Sequence, residues 1–313
     1  MPELPEVETI ANGVHERVQG RRILSVWTSG KPQTFKTPEG EIAAALTGAT
    51  ISSVRRVGKT IVMTVTPGGP SSPASPQIVG SPSAKSRSRK NAPRDSAPAP
   101  VEFLIHLGMT GRLLVSSPEV PLPPHTHAVL TLDDRRHSEV RFIDPRRFGR
   151  LSIHRVPNQQ PATDNLQPST PYTGPGREPL TISLEDFIAL FRHRRSPIKA
   201  ALLNQSLLHG VGNIYADEAL FRAGIRPRRQ AARLTRAELA RLRKALVEVL
   251  RHAIQLGGSS VSDYVDADGV RGFFQLQHKV YQRTGEPCLV CATPIKRITL
   301  AGRGTHFCPT CQR

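Results

Sequence analysis

The first residues of the chain set a possible nucleophile beside a carboxyl group. The sequence opens Met1-Pro2-Glu3-Leu4-Pro5-Glu6-Val7-Glu8-Thr9-Ile10. Removal of Met1, common ahead of a proline, leaves Pro2 as a secondary amine at the chain terminus. An α-amine has a reference pKa of about 8, so near neutral pH a useful fraction is an uncharged nucleophile. Amines attack sugar carbonyls and anomeric carbons to give Schiff bases. A secondary amine gives an iminium, which is cationic at any pH and always withdraws electrons. Glu3, next to it, supplies a carboxyl group for proton transfer. The same stretch also reads as a capping segment in front of an amphipathic helix, and taken alone it does not separate the two.

The far end of the chain holds the second group. Cys288, Cys291, Cys308 and Cys311 are the only cysteines and form two Cys-x-x-Cys pairs. That is the spacing of a zinc ribbon, and four thiolates make a closed, tetrahedral, structural site for one Zn2+. The hairpin of such a ribbon presents Arg297 and Arg303. Between the two ends lies Gly210-Val211-Gly212-Asn213-Ile214-Tyr215-Ala216. Glycines there let backbone amides approach a phosphate, and a following helix N-terminus favours an anion; without other context such a stretch is a turn. Lys59, in Arg56-Val57-Gly58-Lys59-Thr60, sits at another turn and by itself is a surface lysine. Two turn-rich loops follow, His106-Leu107-Gly108-Met109-Thr110-Gly111 and Asp144-Pro145-Arg146-Arg147-Phe148-Gly149. Their Met and Phe read as core edges when no partner is in view.

These groups need elements to hold them. Val7, Ile10, Val14 and Val18 recur at helical spacing, with Pro5 suited to the first turn and Gly20 closing the helix. The amine then lies just ahead of a helix N-terminus, whose partial positive charge lowers its pKa. Short strands are expected at 23–28, at 51–65 as a pair broken near Gly58-Lys59, and at 101–107, 111–116, 127–132 and 139–143. Together they make a two-layered β-sandwich with a leading helix. Residues 67–100 are rich in Pro, Ser and Ala and carry Lys85, Arg87, Arg89, Lys90 and Arg94. With so few apolar residues they are expected to be a disordered insertion.

The second half is helical. Ser183 with Asp186 makes a capping box ahead of Phe187, Ile188 and Phe191, and a short helix is expected over 197–205. A helix over 214–223 is closed by Gly224. Thr235 with Glu238 caps a long helix whose stripe is Leu239, Leu242, Leu246, Leu250 and Ile254, ended by Gly257. The expected fold is an α+β multidomain chain: a β-sandwich domain at 1–156, a linker at 157–180, a helical domain at 181–275, which the resemblance given below makes the helix–two-turn–helix part, and a zinc finger at 276–313.

The 313 residues carry a formal net charge of +18. A surplus of that size implies a polyanionic partner, most simply nucleic acid, but does not separate an enzyme from a packaging protein. No apolar run is long enough to span a membrane, and the acidic N-terminus lacks a signal-peptide core. The expectation is a soluble, intracellular protein.

With both ends in view the chain resembles the formamidopyrimidine-DNA glycosylase family, whose members begin Pro-Glu-Leu-Pro-Glu-Val-Glu-Thr and end in a four-cysteine zinc finger. The resemblance covers nearly the whole chain; the insertion at 67–100 and a long linker depart from it. A near relative, endonuclease VIII, usually has Pro-Glu-Gly-Pro-Glu, so Leu4 favours the formamidopyrimidine branch. The resemblance implies a bifunctional glycosylase and abasic-site lyase acting on oxidised purines in double-stranded DNA. It places the protein in a bacterial cytoplasm at the nucleoid, as a monomer with no membrane partner. It implies Pro2 as nucleophile and Glu3 as proton handler. Lys59, Asn213 and Arg303 match the family's phosphate-binding residues in and beside a helix–two-turn–helix motif. Met109, Arg146 and Phe148 would fill the hole left by a flipped nucleotide, with Arg146 on the orphaned cytosine. His106 is a phosphate contact or a structural histidine, and Glu6 reaches towards the flipped base. Residues 258–273 resemble the loop that caps that base. The rival readings are an endonuclease VIII-like enzyme for oxidised pyrimidines and a non-catalytic zinc-ribbon DNA-binding protein.

Overall fold

The computed structural model describes residues 1–68, 99–155, 170–260 and 265–313. Most of the expected insertion and the first part of the expected linker, with four residues of the 258–273 loop, lie outside the described residues.

The chain begins with helix α1 (Leu4–Val18), which buries Leu4, Val7, Ile10, Ala11, Val14 and Val18. Two four-stranded antiparallel sheets follow. One has the order β1-β6-β7-β5 and joins β1 (Ile23–Thr28), β6 (Thr126–Leu132), β7 (Glu139–Ile143) and β5 (Arg112–Ser116). The other has the order β2-β3-β4-β8 and joins β2 (Thr50–Val57), β3 (Thr60–Thr66), β4 (Val101–His106) and β8 (Arg150–Arg155). Val65 pairs with Val101, so β3 and β4 keep a hairpin register across the intervening insertion. A single apolar core runs between the sheets and under α1. Burial of that apolar area is the main favourable term holding the layers together.

Two elements of the sandwich half were not expected. Helix α2 (Glu39–Leu46) buries only Ile42 and Leu46, an i,i+4 pair too sparse to declare a period. Strand β8 alternates weakly, with Leu151 buried and Ile153 packed at the core edge.

The helical half holds α3 (Leu184–Phe191), α4 (Ile198–Leu202), α5 (Asn213–Ala223) and α6 (Arg236–Gln255). Ser183 accepts the Asp186 amide at 3.0 Å, but among these four helices only α6 has the reciprocal box, through Thr235 and Glu238. An aspartate is one methylene shorter than glutamate and does not reach back. Gly224 closes α5 in the left-handed conformation at φ 69. A second apolar core belongs to these helices, and Leu4 of α1 is part of it. The rest of α1 packs into the sandwich. The chain's first turn is thus the seam between two cores. The hairpin β9 (Lys296–Leu300) and β10 (Arg303–Phe307) completes the fold beside a small cysteine-containing cluster. Among the described residues no helix is long and apolar enough to cross a membrane.

Candidate active site

The seam brings the N-terminal segment onto the Gly210–Asn213 turn. The Leu4 amide donates to the Gly210 carbonyl at 3.0 Å. Gly210, at φ +90, lies so close that an added Cβ would come within 2.9 Å of the Leu4 side chain. A Cβ on Gly212 would fall 2.2 Å from the Glu3 carboxyl carbon. The two glycines therefore leave room for the segment that carries Pro2 and Glu3. Pro2 is buried, while Met1 ahead of it is 50% exposed.

Glu3 is 4% exposed, and its Oε1 accepts the Ile214 amide at 3.1 Å. The N-terminus of α5 therefore holds this carboxyl group, where the sequence suggested a phosphate. Both are anions, and the orphan amides of a first helical turn suit either. Burial pushes the Glu3 pKa up to about 7; the nearby Lys59 charge opposes this, Glu6 adds to it, and the Ile214 and Tyr215 amides oppose it. Near neutral pH Glu3 is therefore divided between its acid and its base.

Lys59 stands at the turn between β2 and β3, partly buried. Burial lowers its pKa, the charges of Glu3 and Glu6 raise it, and Arg303 lowers it further. These four groups come from the leading helix, the sandwich and the zinc hairpin and share one electrostatic environment. Glu6 is drawn inward. Its Oε2 accepts the Glu3 amide at 2.8 Å, and its Oε1 accepts the Tyr215 hydroxyl at 2.5 Å and the Ser259 amide at 2.8 Å. Glu6 thereby ties α1 to the helical half and is only 2% exposed. Asn213 likewise spends its Nδ2 on the Gly304 carbonyl at 3.0 Å, and so holds the hairpin strand that begins with exposed Arg303.

Met109, Arg146 and Phe148 come together on two adjoining loops. Met109 is 42% exposed and Phe148 50%, and the Arg146 guanidinium lies 4.8 Å from the Phe148 ring centroid. The loops are rigid behind these side chains. Buried Asp144 accepts from the Thr110 hydroxyl at 2.6 Å, the Gly149 amide at 2.7 Å and the Arg146 amide at 3.2 Å. Gly108, at φ +63, packs so tightly that a Cβ would lie 2.5 Å from the Phe148 backbone. Met109 and Phe148 are therefore held outward by backbone contacts and are not loose core edges. His106 accepts the Gly108 amide on Nδ1 at 3.1 Å, which leaves the ring proton on Nε2.

Comparison with known proteins decides the family. Residues 1–151 match the formamidopyrimidine-DNA glycosylase N-terminal domain, 175–265 match the formamidopyrimidine-DNA glycosylase H2TH domain, and 285–313 match the zinc finger found in FPG and IleRS. The formamidopyrimidine-DNA glycosylase of Solibacter usitatus (strain Ellin6076) is 41% identical over the full length of both chains. The chain belongs to the formamidopyrimidine-DNA glycosylase family. The crystal structure of the MutM (FPG) protein of Thermus thermophilus superimposes with a TM-score of 0.74 at 37% identity, covering 99% of this chain and 98% of that one. A complex of the Lactococcus lactis Fpg with DNA containing an abasic site gives a TM-score of 0.76 at 29% identity, covering 99% of each chain.

In this family member the four cysteine sulfurs lie within 4.8 Å of one another. Cys288 and Cys311 are 3.9 Å apart and Cys291 and Cys308 3.4 Å apart. A tetrahedron with Zn–S bonds of about 2.3 Å has edges of about 3.8 Å, so the donors fit one zinc ion. All four positions are filled by thiolates, which makes the site structural. The finger is coupled to the site through buried Lys199, whose Nζ reaches Asp217 at 2.7 Å, the Gly304 carbonyl at 3.0 Å and the Thr305 hydroxyl at 2.9 Å. Cys308→Ser is expected to lose zinc and most lesion-DNA affinity while the sandwich stays folded, because the finger's small cluster is separate from the sandwich core. Thiolate–zinc binding contributes on the order of 10 kcal/mol to folding of such ribbons. Zinc stoichiometry, circular dichroism and duplex binding measure the three outcomes; full affinity in the metal-free variant would contradict this coupling.

Several positioning residues escaped the sequence reading. Arg56 of β2 pairs with Glu8 of α1 and, at 2.9 Å, with Glu178, which also meets His209 at 3.1 Å. Burial would raise the Glu178 pKa, but the His209 and Arg56 contacts outweigh it and hold it down at about 2. His209 in turn packs 3.0 Å from where a Gly58 Cβ would be, which sets the Lys59 turn beside Gly210. Glu218 accepts the amides of Lys279, Val280 and Tyr281 at 2.9–3.0 Å and fixes the approach to the finger. The available signal was Asp217-Glu218, two adjacent acids within a buried run from Ile214 to Phe221 that is otherwise apolar.

Proposed function

We propose that this family member is a bifunctional DNA glycosylase and abasic-site lyase acting on double-stranded DNA with oxidised purines, 8-oxoguanine and formamidopyrimidines. The observation that carries the reading is Glu3: a buried carboxyl group, titrating near neutrality beside Lys59 and directly following Pro2. Once Met1 is removed, the Pro2 nitrogen attacks C1′ of the damaged nucleotide. The C1′–N bond to the base breaks, and the base leaves with that electron pair. Glu3 in its acid form protonates O4′ as the sugar ring opens, and a C1′ iminium to Pro2 results. The iminium acidifies the C2′ hydrogen; its loss expels the 3′ phosphate, and a further elimination expels the 5′ phosphate. A carboxyl with a pKa near the working pH suits repeated proton transfer.

Lys59, Asn213 and Arg303 hold the phosphates beside the lesion in this reading. Met109, Arg146 and Phe148 occupy the gap in the stack, offsetting an unstacking cost of a few kcal/mol. Glu6, held by Tyr215, lies on the side of the flipped base in this reading.

A panel of duplexes tests the substrate class. Faster base release from 8-oxoguanine or formamidopyrimidine opposite cytosine than from oxidised pyrimidines is expected, with strand cutting on both sides of the lesion. Arg146→Ala is expected to lower single-turnover excision opposite cytosine by about tenfold, the loss of one hydrogen-bonded charged contact. Preference for oxidised pyrimidines would move the chain to endonuclease VIII-like specificity, and binding without base release would leave it a DNA-binding protein.

A further inference from the structure

We propose that His278 is a positioning residue for base release: through the Ser259 hydroxyl it fixes the backbone amide that holds Glu6 on the side of the flipped base. This inference rests on the glycosylase reading above and deepens it, since it assigns a residue to the step that frees the base.

Glu6 is held from the helical half. The Ser259 amide and the Tyr215 hydroxyl both donate to Glu6 Oε1. The backbone ahead of Ser259 rests on the same side chain: a Cβ on Gly258, at φ +80, would lie 2.9 Å from Glu6 Cγ. Ser259 is 4% exposed, so its hydroxyl needs a partner inside the protein. That partner is His278, whose Nε2 lies 3.2 Å from the Ser259 Oγ. His278 is itself buried.

The direction of that hydrogen bond follows from the ring. Burial holds the His278 pKa down at about 4; a hydrogen bond to the Tyr281 backbone opposes this, and the His306 charge adds to it. Near neutral pH the ring is therefore uncharged, with one N–H donor and one acceptor nitrogen. A bond that favours the protonated ring is one the ring donates, and the Tyr281 amide is already given to Glu218 at 3.0 Å. The Tyr281 carbonyl thus accepts from Nδ1–H, and Nε2 is left to accept the Ser259 hydroxyl. One ring ties Ser259 to the segment that Glu218 holds in place.

The ring packs as well as bonds. It makes T-shaped contacts with Phe274, at a centroid distance of 5.6 Å, and with Tyr281, at 5.4 Å. Phe274 in turn lies 5.5 Å from the Tyr215 ring, which carries the other donor to Glu6 Oε1. Both of these Glu6 contacts lead back to His278. A phenylalanine at this position keeps the aromatic contacts and loses the hydrogen bond, which separates positioning from packing. Base release needs Glu6 held against the flipped base, whereas strand cutting at an abasic site has no base to hold.

The test uses the full-length zinc-loaded protein and two duplexes, one with 8-oxoguanine opposite cytosine and one with a preformed abasic site. Single-turnover rates of base release on the first and of strand cutting on the second are measured for the wild type, His278→Phe, His278→Gln and Ser259→Ala. His278→Phe is expected to lower base release about tenfold, the scale of one buried hydrogen bond lost with its partner left unpaired. Cutting at the abasic site should stay within about twofold of the wild type, because the displaced group faces a base that is absent. His278→Gln, whose amide oxygen reaches the place of Nε2, should recover base release to within about threefold of the wild type. Ser259→Ala should show the same split as His278→Phe, and the double variant no larger loss, as for two residues in one contact. Should the phenylalanine chain not fold, Ser259→Ala alone carries the comparison. An equal fall in both activities, unaltered base release in His278→Phe, no recovery in His278→Gln or additive losses in the double variant would overturn the proposal. A wild type that releases no oxidised base overturns the glycosylase reading, and the proposal with it, before any variant is compared.

Discussion

A chain extended by one residue ahead of Pro2 is expected to bind lesion DNA and neither release the base nor cut the strand. The extension converts the Pro2 nitrogen into an amide, whose lone pair is delocalised and does not attack C1′. The site itself is unchanged, because Pro2 is buried and the residue ahead of it is half exposed, so an added residue points to solvent. The expected loss is on the order of 10³-fold or more in single-turnover excision, the scale for removing a covalent nucleophile. In the native protein with a confirmed Pro2 terminus, borohydride should trap a protein–DNA adduct that peptide mapping places on Pro2. Pro2→Gly keeps a primary amine and should retain part of the trapping. Cutting of lesion DNA by the native protein without any adduct would refute the iminium mechanism.

Glu3→Gln is expected to bind a lesion duplex and excise the base slowly, by roughly 10²-fold or more, the typical contribution of a positioned general acid. The pH profile separates this from a structural effect. With Glu3 at about 7, its acid form falls tenfold per unit above that value. The amine, whose reference pKa of about 8 the α1 N-terminus lowers, gains its free form up to its own pKa. The product of the two fractions peaks midway between the two pKa values, below pH ~7.5. The amide variant should lose the fall on the alkaline side, since nothing at position 3 then titrates. Stability should move the opposite way. A carboxyl pKa raised by folding favours the fold below the unfolded value of about 4.3 and loses that favour as pH rises through about 7. Above that pH the amide should therefore melt higher than the wild type, since it never carries a buried charge. A profile that keeps its alkaline limb, or an amide less stable at mildly alkaline pH, would remove Glu3 from this role. Gly212→Ala offers a second approach: its Cβ would lie 2.2 Å from the Glu3 carboxyl carbon, so it should displace the group and impair excision without touching the amine.

Much of this protein follows from local sequence. The α1 stripe, the hairpin turn at Gly58-Lys59, the Gly224 cap, the Thr235–Glu238 box and the paired cysteines each depend on residues within a few positions of one another. Helical period, strand alternation, left-handed glycines and metal-ligand spacing are short-range properties, and they are legible for that reason. Helix α2 and strand β8 were not, because each has few apolar positions and is fixed by the core it packs against.

The placement of the chemistry was decided by the tertiary structure. Pro2-Glu3 is visible as a pair in sequence, but the Glu3 pKa depends on burial between two cores, on Lys59 and on the Ile214 amide, which is 211 residues away in the chain. Local spacing could not say that the α5 N-terminus is occupied by Glu3, that Glu6 is held by Tyr215 and Ser259, or that Asn213 secures the Arg303 hairpin. Nor could it set His278 against the Ser259 hydroxyl. Residue type fixes what a group can do in water. Its protonation and reach in the fold depend on desolvation and on neighbours brought close by non-local packing, and neither is written in local spacing.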